Sequence, residues 1–343
     1  MLPQNGKKLL VSVVITTFNR CDALRETIRA LGRQTVSPDQ YEILVVDNGC
    51  RDATSSYLES CKLPCDLRTF RETENVGIAA ARNKAIPHAR GRFIIFVSDD
   101  LIVPENFIAS HVETLERFPG YWVVGGFQQL ESLTRTPFGR YLDQLENSFE
   151  EARKFKQLAP SIWEMSCPTA RNLSLPRADL ERIGLFDEQF RNSCEDQDLA
   201  HRAQDAGLRF LYNAEITCLH NDQAGELKRY CRSQQRGAHD TVLFCYKHPE
   251  HQVAPIVRVN GYAALSDGPV LILKKGIKLL LATTPVSYLI ERSIEFAEAM
   301  NAPDPLLRRL YRTLIGIHIF RGWRSGLISL STNLKTQSAG KLI

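Results

Sequence analysis

The sequence predicts an α/β fold, in which a Rossmann-like, mostly parallel sheet with flanking helices is followed by an α-helical C-terminal extension. Short apolar runs rich in β-branched residues alternate with amphipathic stretches over about the first 120 residues. The last part of the chain has helical periodicity without such runs. With 343 residues, 43% hydrophobic and 24% charged side chains and no repeat period, the chain is neither disordered nor a repeat protein.

Four strand–helix units open the predicted sheet. Their strands are continuous apolar runs, because helices cover both faces of a parallel sheet. Asp22 suits the N-cap of the first helix, and Pro104 suits the first turn of the fourth. The predicted strands are Leu9–Thr17, Tyr41–Asp47, Asp66–Arg71, Arg92–Ser98 and Tyr121–Gly126, and the predicted helices are 22–34, 52–60, 77–88 and 104–118.

Beyond the fifth strand the pattern is irregular and partly helical as far as Trp163. Further along, short helices are predicted at 179–183 and 195–207, a strand within 208–220, and a longer helix from Glu226 to about Tyr246. These patterns divide the chain into an α/β domain at 1–245, a linker at 246–268 and a helical extension at 269–343.

Cysteine usage and the absence of targeting segments bear on the compartment. The nine cysteines are scattered without the spacing of a disulfide framework or a zinc site, which favours a reducing environment. The N-terminal apolar stretch is short and resembles a buried strand more than a signal peptide, and no run of 18 apolar residues occurs. We therefore expect a cytoplasmic protein without a transmembrane helix.

The C-terminal region is basic. Residues 246–343 contain 13 Lys and Arg against 6 Asp and Glu, whereas residues 1–245 contain 30 against 33. Two apolar segments of this region, 270–281 and 306–324, carry many of the basic side chains. Such segments either lie peripherally on the anionic inner face of a membrane, with their lysines toward the head groups, or pack as amphipathic helices on the rest of the protein or on a dimer partner. No nucleic-acid-binding motif is present, so we expect no nucleic-acid partner.

Polar residues follow several predicted strands, at the edge where ligands bind in parallel sheets. Thr17 follows the first strand, Asp47 the second, and the pair Asp99–Asp100 the fourth. Adjacent carboxylates repel each other, and a divalent cation that also binds phosphate oxygens would hold them together. An ordinary turn with a helix cap is the alternative for the acidic pair. Asp47 could accept hydrogen bonds from a base or a ribose.

Three further candidates lie outside the strand ends already described. Arg82 is one turn into a helix whose N-terminus could face an anion, although the preceding Asn75–Gly77 also reads as a simple turn. Asp196, in a run of acids at a helix start, is a candidate general base, with helix capping as the alternative. His220 ends a strand and is either a structural histidine or a metal ligand.

Taken together, these segments resemble the GT-A glycosyltransferases of family 2, which are inverting and use sugar nucleotides. The resemblance covers about residues 9–245. The segments that carry it, in order, are SVVITTFNR, EILVVDNGCRDAT, ENVGIAAARNKAI, GRFIIFVSDDLIVPENF, CPTARNLSLPRADLERIGLFDEQF and CEDQDLAHRAQDAGLRF.

The resemblance implies roles for the candidate residues. Thr17, Asp47, Arg82 and Asp99 would contact the donor nucleotide. Asp100 would bind a divalent metal, Mn or Mg, with His220 at a position that some relatives use as a further ligand. Asp196 would be the catalytic base. Ser98 departs from the pattern, because many relatives have Asp there.

The implied function is an inverting glycosyl transfer from a nucleotide-diphosphate sugar donor to a carbohydrate or lipid-linked acceptor, in cell-surface polysaccharide or glycolipid synthesis. A nucleotidyltransferase is one alternative, but it requires a Gly-rich basic loop where ITTFNRCDAL follows the first strand. A dinucleotide-dependent oxidoreductase would have GxGxxG in the same place, and that motif is absent too. An inactive nucleotide-sugar-binding scaffold is the other alternative, against which Asp99, Asp100 and Asp196 argue.

Overall fold

The computed structural model describes residues 9–221, 226–249, 259–262 and 267–340, with side chains as far as 332 in the last helix. The chain forms two compact units. Unit one comprises Met1–Thr134, Leu142–Arg191 and Glu195–Gln223, and unit two comprises Arg135–Tyr141, Asn192–Cys194 and Ala224–Ile343. Most of the predicted linker, at 250–258 and 263–266, lies outside the described residues.

Unit one is built on one ten-stranded sheet. Its strands are β1 Val11–Thr17, β2 Tyr41–Asn48, β3 Asp66–Glu72, β4 Phe93–Ser98, β5 Leu101–Ile102, β6 Tyr121–Gln129, β7 Lys154–Ala159, β8 Ile162–Met165, β9 Asn172–Pro176 and β10 Arg209–His220. They lie in the order β3-β2-β1-β4-β9-β6-β10-β8-β7, and β5 pairs with β10.

The sheet is parallel in one part and mixed in the other. Strands β3, β2, β1 and β4 are parallel, as the sequence predicts. Strand β9 then lies antiparallel between β4 and β6. Strand β10 is parallel to β6 and antiparallel to β5 and β8, and β8 pairs antiparallel with β7. The α/β class is confirmed, and the sheet as a whole is mixed rather than mostly parallel.

Helices cover both faces of this sheet. The helices packed in its two core clusters are α1 Cys21–Leu31, α2 Thr54–Ser60, α3 Ile78–Ala85, α4 Phe107–Arg117, α7 Arg177–Ile183 and α8 Glu195–Asp205. Between β6 and β7 the chain also forms α5 Glu131–Thr134 and α6 Pro137–Arg153. The side chains of successive β1 residues point to opposite faces of the sheet. Val13 and Ile15 pack in one core cluster with Leu24 of α1, while Val14 packs in the other with Ala81 of α3. Burial on both faces explains why β1, β2 and β4 are apolar almost throughout.

Unit two is helical, which confirms the predicted helical extension. Its helices are α9 Leu227–Lys247, α10 Pro269–Leu281, α11 Thr284–Ala299 and α12 Asp304–Gly340. Helices α9 and α12 approach closely, because Gly322 and Gly326 leave no room for a Cβ beside the carbonyl oxygens of Gln235 and His239. Helix α9 groups with unit two, although the sequence assigned it to the α/β domain.

Within the described part of the chain, no helix is both long and apolar enough to cross a bilayer. The C-terminal helices are long, but charged side chains interrupt each of their apolar stretches.

Candidate active site

The acidic pair lies in the turn between β4 and β5. Because β5 pairs with the end of β10, this turn lies beside His220, which is directly opposite Leu101. The side chains of Asp99 and Asp100 are almost completely buried. Arg20, just after β1, places Nη1 3.3 Å from Asp99 Oδ1 and 2.8 Å from Asp100 Oδ2. Two adjacent buried carboxylates are thus stabilised by a guanidinium.

Asp100 and His220 also form a buried pair. The His220 Nε2 atom lies 3.2 Å from Asp100 Oδ2. Burial by itself raises the pKa of the Asp100 carboxyl, but the hydrogen bond with His220 and the charges of His220 and Arg20 hold that pKa well below its usual range. Burial lowers the pKa of His220, yet the hydrogen bond to Asp100 and the nearby carboxylate of Glu146 outweigh it and raise that pKa to about 9.

The residues present fit a divalent cation in one specific respect. Asp100 Oδ1 is buried and accepts no hydrogen bond. A buried carboxylate oxygen without a donor is a suitable ligand for a hard cation such as Mg²⁺ or Mn²⁺. Among the described residues, no three His, Cys, Asp or Glu side chains converge as a metal site. The other ligands of such a cation would therefore be donor phosphate oxygens and water.

Glu146 of α6 was not identified from the sequence. Its Oε2 atom lies 3.8 Å from His220 Nδ1. The same oxygen accepts a hydrogen bond of 2.6 Å from Gln129 Nε2. The Gln129 Nε2 atom in turn lies 3.0 Å from His220 Nδ1. Arg171 lies 3.4 Å from Glu146 Oε1. These contacts orient the imidazole toward Asp100. For the segment 127–163 the sequence predicts only an irregular and partly helical structure, so nothing placed Glu146 near the acidic pair.

Thr17 and Asp47 are directly opposite each other in the parallel pair β1–β2. The Asp47 carboxylate accepts hydrogen bonds from the Cys50 amide, at 2.8 Å, and from the Ser55 hydroxyl. The Thr17 hydroxyl is buried and has no hydrogen-bond partner. A buried hydroxyl without a partner is costly in a folded protein, so this oxygen is available to a ligand.

Arg82 is buried among protein groups. Its Nη1 lies 2.6 Å from Glu195 Oε1, and its Nη2 donates to the Ala170 carbonyl at 3.2 Å. Its guanidinium also lies over the rings of Phe96 and Phe186, at 5.8 and 5.2 Å from their centroids. The structure therefore brings Arg82 to the start of α8, beside the candidate base.

Asp196 lies in the first turn of α8. Its Oδ2 accepts the Ala170 amide at 3.2 Å, and its Oδ1 accepts the Gln197 amide at 2.9 Å. The carbonyl oxygen of Arg171, the residue after Ala170, accepts a hydrogen bond of 2.9 Å from the Ser98 amide. This bond connects the segment that contacts Asp196 to the end of β4. Burial and the Asp196 charge raise the pKa of Glu195 to about 7, against the opposing charge of Arg82.

Comparison with known proteins gives a consistent result. Residues 12–170 match the family described as Glycosyl transferase family 2. An uncharacterised glycosyltransferase of Bacillus subtilis, YfnE, is 28% identical over 261 residues, which cover 63% of this chain and 66% of that protein. Validoxylamine A glucosyltransferase of Streptomyces hygroscopicus is 27% identical over 230 residues, which cover 60% of this chain and 50% of the relative.

A solved structure is similar over most of the chain. The mannosyltransferase PcManGT of Pyrobaculum calidifontis, in complex with GDP-Man and Mn2+, superposes with a TM-score of 0.58 at 19% sequence identity, covering 92% of this chain and 87% of that one. At this identity the likeness concerns the fold. The chain matches about two thirds of the length of YfnE and half of the glucosyltransferase. Residues 12–170 of this chain thus match a glycosyl transferase family 2 domain, and the fold is of the GT-A type.

Proposed function

We propose that the protein is an inverting glycosyltransferase that moves a sugar from a nucleotide-diphosphate donor to an acceptor hydroxyl. The observation that carries the proposal is the set of polar groups at the carboxyl ends of β1, β2 and β4, within a glycosyl transferase family 2 domain. Two of these groups, the Thr17 hydroxyl and Asp100 Oδ1, are buried without a hydrogen-bond partner. Buried polar atoms normally have a hydrogen-bond partner, so these two atoms are available to bind a ligand.

The donor nucleotide is proposed to bind at Thr17 and Asp47, whose neighbouring positions offer a hydroxyl and a carboxylate to a base or a ribose. Asp99 and Asp100 would hold a divalent metal, Mn or Mg, together with the donor diphosphate, and His220 would be a further ligand or would orient Asp100. When bound, the metal neutralises the charge that develops on the leaving diphosphate. Arg82 has protein partners, so we assign it to the support of α8 rather than to the nucleotide.

Asp196 is the proposed general base. Two backbone amides donate hydrogen bonds to its carboxylate oxygens and fix the orientation of the group that is to accept the proton. The acceptor hydroxyl loses its proton to Asp196 and attacks the anomeric carbon from the face opposite the diphosphate. The new glycosidic bond forms as the bond from carbon to phosphate oxygen breaks, and the nucleoside diphosphate leaves. One displacement inverts the anomeric centre.

The acceptor is proposed to be a carbohydrate or a lipid-linked saccharide in the synthesis of a cell-surface polysaccharide or glycolipid. To reach a lipid-linked acceptor, the protein would lie in the cytoplasm, peripherally on the inner face of a membrane. The basic character of residues 246–343 supports this setting.

The test begins with thermal melting of the purified protein against nucleoside diphosphates, with Mn²⁺ and with chelator. A ligand of the native state raises the melting temperature. GDP-mannose with Mn²⁺ is the first pair to try, because a protein of the same fold binds it. A metal-dependent shift with one diphosphate is expected, and no shift with any of them would refute donor binding.

The role of Asp196 is then tested by substitution. Asp196→Asn keeps one side-chain oxygen to accept a backbone amide and the same side-chain size, so donor affinity measured by calorimetry should be unchanged. Hydrolysis or transfer of the donor sugar should fall by about 10²- to 10⁴-fold. Asp205→Asn, at the exposed end of the same helix, is the matched control and should turn over normally. Full turnover by Asp196→Asn would show that another group is the base.

A further inference from the structure

Helix α10 is amphipathic in the reverse of the usual sense. Helices at a protein surface normally bury their aliphatic side and expose their charged side. In α10 the Lys275 side chain is only 5% exposed, whereas Leu273 is 64% and Leu280 63% exposed. The side of the helix that carries Lys275 faces the rest of unit two, and the aliphatic side faces outward.

Specific partners hold the lysines on the inner side. The Lys275 ammonium lies 2.6 Å from Asp267 Oδ2 and 2.7 Å from the Tyr262 carbonyl oxygen. The Lys278 ammonium donates to Asn260 Oδ1 at 2.7 Å and lies over the ring of Phe320. A buried ammonium needs such partners, so these contacts fix the rotation of the helix about its axis. The expectation that these two lysines point toward lipid head groups is therefore wrong.

The outward side forms a continuous aliphatic stripe. Its positions are three or four residues apart and so share one side of the helix. The stripe consists of Val270, Leu273, Ile277 and Leu280, with Ile272 and Leu279 beside it, and all six side chains are between 46% and 66% exposed. Gly276 adds no side chain to this side, and Lys274 is exposed at its edge.

Large apolar residues are also exposed along α11, the next helix of the chain. Tyr288, Leu289, Phe296 and Met300 are each between 57% and 69% exposed. An aliphatic stripe like that of α10 is uncommon on a monomer that works free in solution, and it marks a site of interaction.

Charge distinguishes the possible occupants of this surface. Residues 269–332 contain nine Lys and Arg against four Asp and Glu. Arg308, Arg309 and Arg312 of α12 are exposed around a surface depression of about 510 Å³. A second copy would bring the same excess of positive charge, which repels its own kind, whereas an anionic bilayer combines an apolar phase with negative head groups.

We propose that unit two docks on an anionic lipid bilayer through the stripe of α10, which lies in the membrane interface parallel to its plane. With 13 residues, α10 is about 20 Å long and too short to span the hydrocarbon core upright. Its aliphatic side chains enter the interface while Lys274, at the edge of the stripe, meets the head groups. This inference rests on the proposed membrane setting, and it does not depend on the transfer chemistry.

The test is flotation of the full-length protein with vesicles of phosphatidylcholine alone and of phosphatidylcholine with phosphatidylglycerol. The protein should float with the anionic vesicles, and 0.5 M salt should weaken binding by screening the head-group contacts. Leu273→Asp should lower the partition coefficient at least tenfold, because it places a charge in the middle of the stripe. Phe155→Asp is the matched control, since Phe155 is 65% exposed in unit one, and it should float like the unsubstituted protein.

Several outcomes would overturn the proposal. They are failure to float with either vesicle, equal loss of flotation in both variants, and a dimer by light scattering that Leu273→Asp dissociates in a protein that does not float. The last outcome would identify a second copy as the occupant. Circular dichroism of both variants checks that they are folded. The donor-dependent thermal shift of Leu273→Asp should be unchanged, so a failure here is separate from a failure of the proposed transfer.

Discussion

Replacing Arg82 by Met leaves the Glu195 carboxyl inside unit one without its cation. Both side chains are less than a tenth exposed, and the pair is held at 2.6 Å. Breaking a buried ion pair from one side costs about 3–5 kcal/mol, because the remaining charge loses its partner without regaining water. The lost contacts of the guanidinium with the rings of Phe96 and Phe186 add to this cost. We therefore expect Arg82→Met to lower the free energy of unfolding by about 3 kcal/mol at pH 8, where the Glu195 carboxyl would otherwise be ionised and paired.

The dependence on pH gives this prediction a second signature. The pKa of Glu195 is already raised, to about 7, so the folded state binds a proton more tightly than the unfolded chain does. At low pH this carboxyl is protonated in both states and does not lower the free energy of unfolding. As pH rises through the interval between the unfolded and folded pKa values, it lowers the free energy of unfolding by a growing amount. Loss of Arg82 raises the folded pKa further. The loss in free energy of unfolding caused by Arg82→Met should thus be smaller at pH 5.5 than at pH 8.

Urea denaturation followed by circular dichroism measures both effects. The variant Arg82→Met/Glu195→Leu should recover much of the lost stability, because no unpaired charge remains. Arg92→Met is the matched control: Arg92 pairs with Glu116 at 2.8 Å, but on the surface, where such pairs contribute at most about 1 kcal/mol. If Arg82→Met costs no more than this control, or if the double variant shows no recovery, the ion pair does not stabilise the fold as argued. Unchanged stability with lost donor binding would instead assign Arg82 to the nucleotide.

Three further predictions concern single residues. Thr17→Val should leave stability unchanged or raise it by about 1 kcal/mol, since the buried hydroxyl has no partner, while weakening the calorimetric affinity for the donor nucleotide about threefold to tenfold. Asp100→Ala should abolish the part of donor binding that depends on a divalent metal, so calorimetric titrations with Mn²⁺ and with chelator should coincide; a persisting metal effect would refute the assignment. Burial lowers the pKa of His111 to about 4, so unfolding should take up a proton and stability should fall by about 3 kcal/mol as pH drops from 6.5 to 4. His111→Asn should flatten this dependence in urea titrations, and an unchanged slope would assign it to other groups.

Much of the central sheet follows from the sequence alone. The runs of β1, β2 and β4 are apolar in consecutive positions because both of their faces are buried, and this local property can be read without knowing any partner. The carboxyl ends of parallel strands meet at one edge, so the sequence also places Thr17, Asp47 and the Asp99–Asp100 pair together. The helices α1, α3 and α8 follow from local periodicity in the same way.

The antiparallel part of the sheet depends on contacts between distant segments. Strand β9 has only five residues, and its position between β4 and β6 is decided by the pairing of Ser174 with Ile95 and Val123. Arg20 and Glu146 join the acidic site across long stretches of chain. Short strands and single charged side chains carry no periodicity, so neither could be predicted.

The C-terminal helices show the same division most clearly. The spacing of Lys275, Lys278 and the leucines of α10 determines that cations and aliphatic side chains lie on different sides of one helix. It does not determine which side meets the protein. That is decided by Asp267, Asn260 and the Tyr262 carbonyl, which the tertiary structure brings to the lysines and which satisfy their charges where water is excluded.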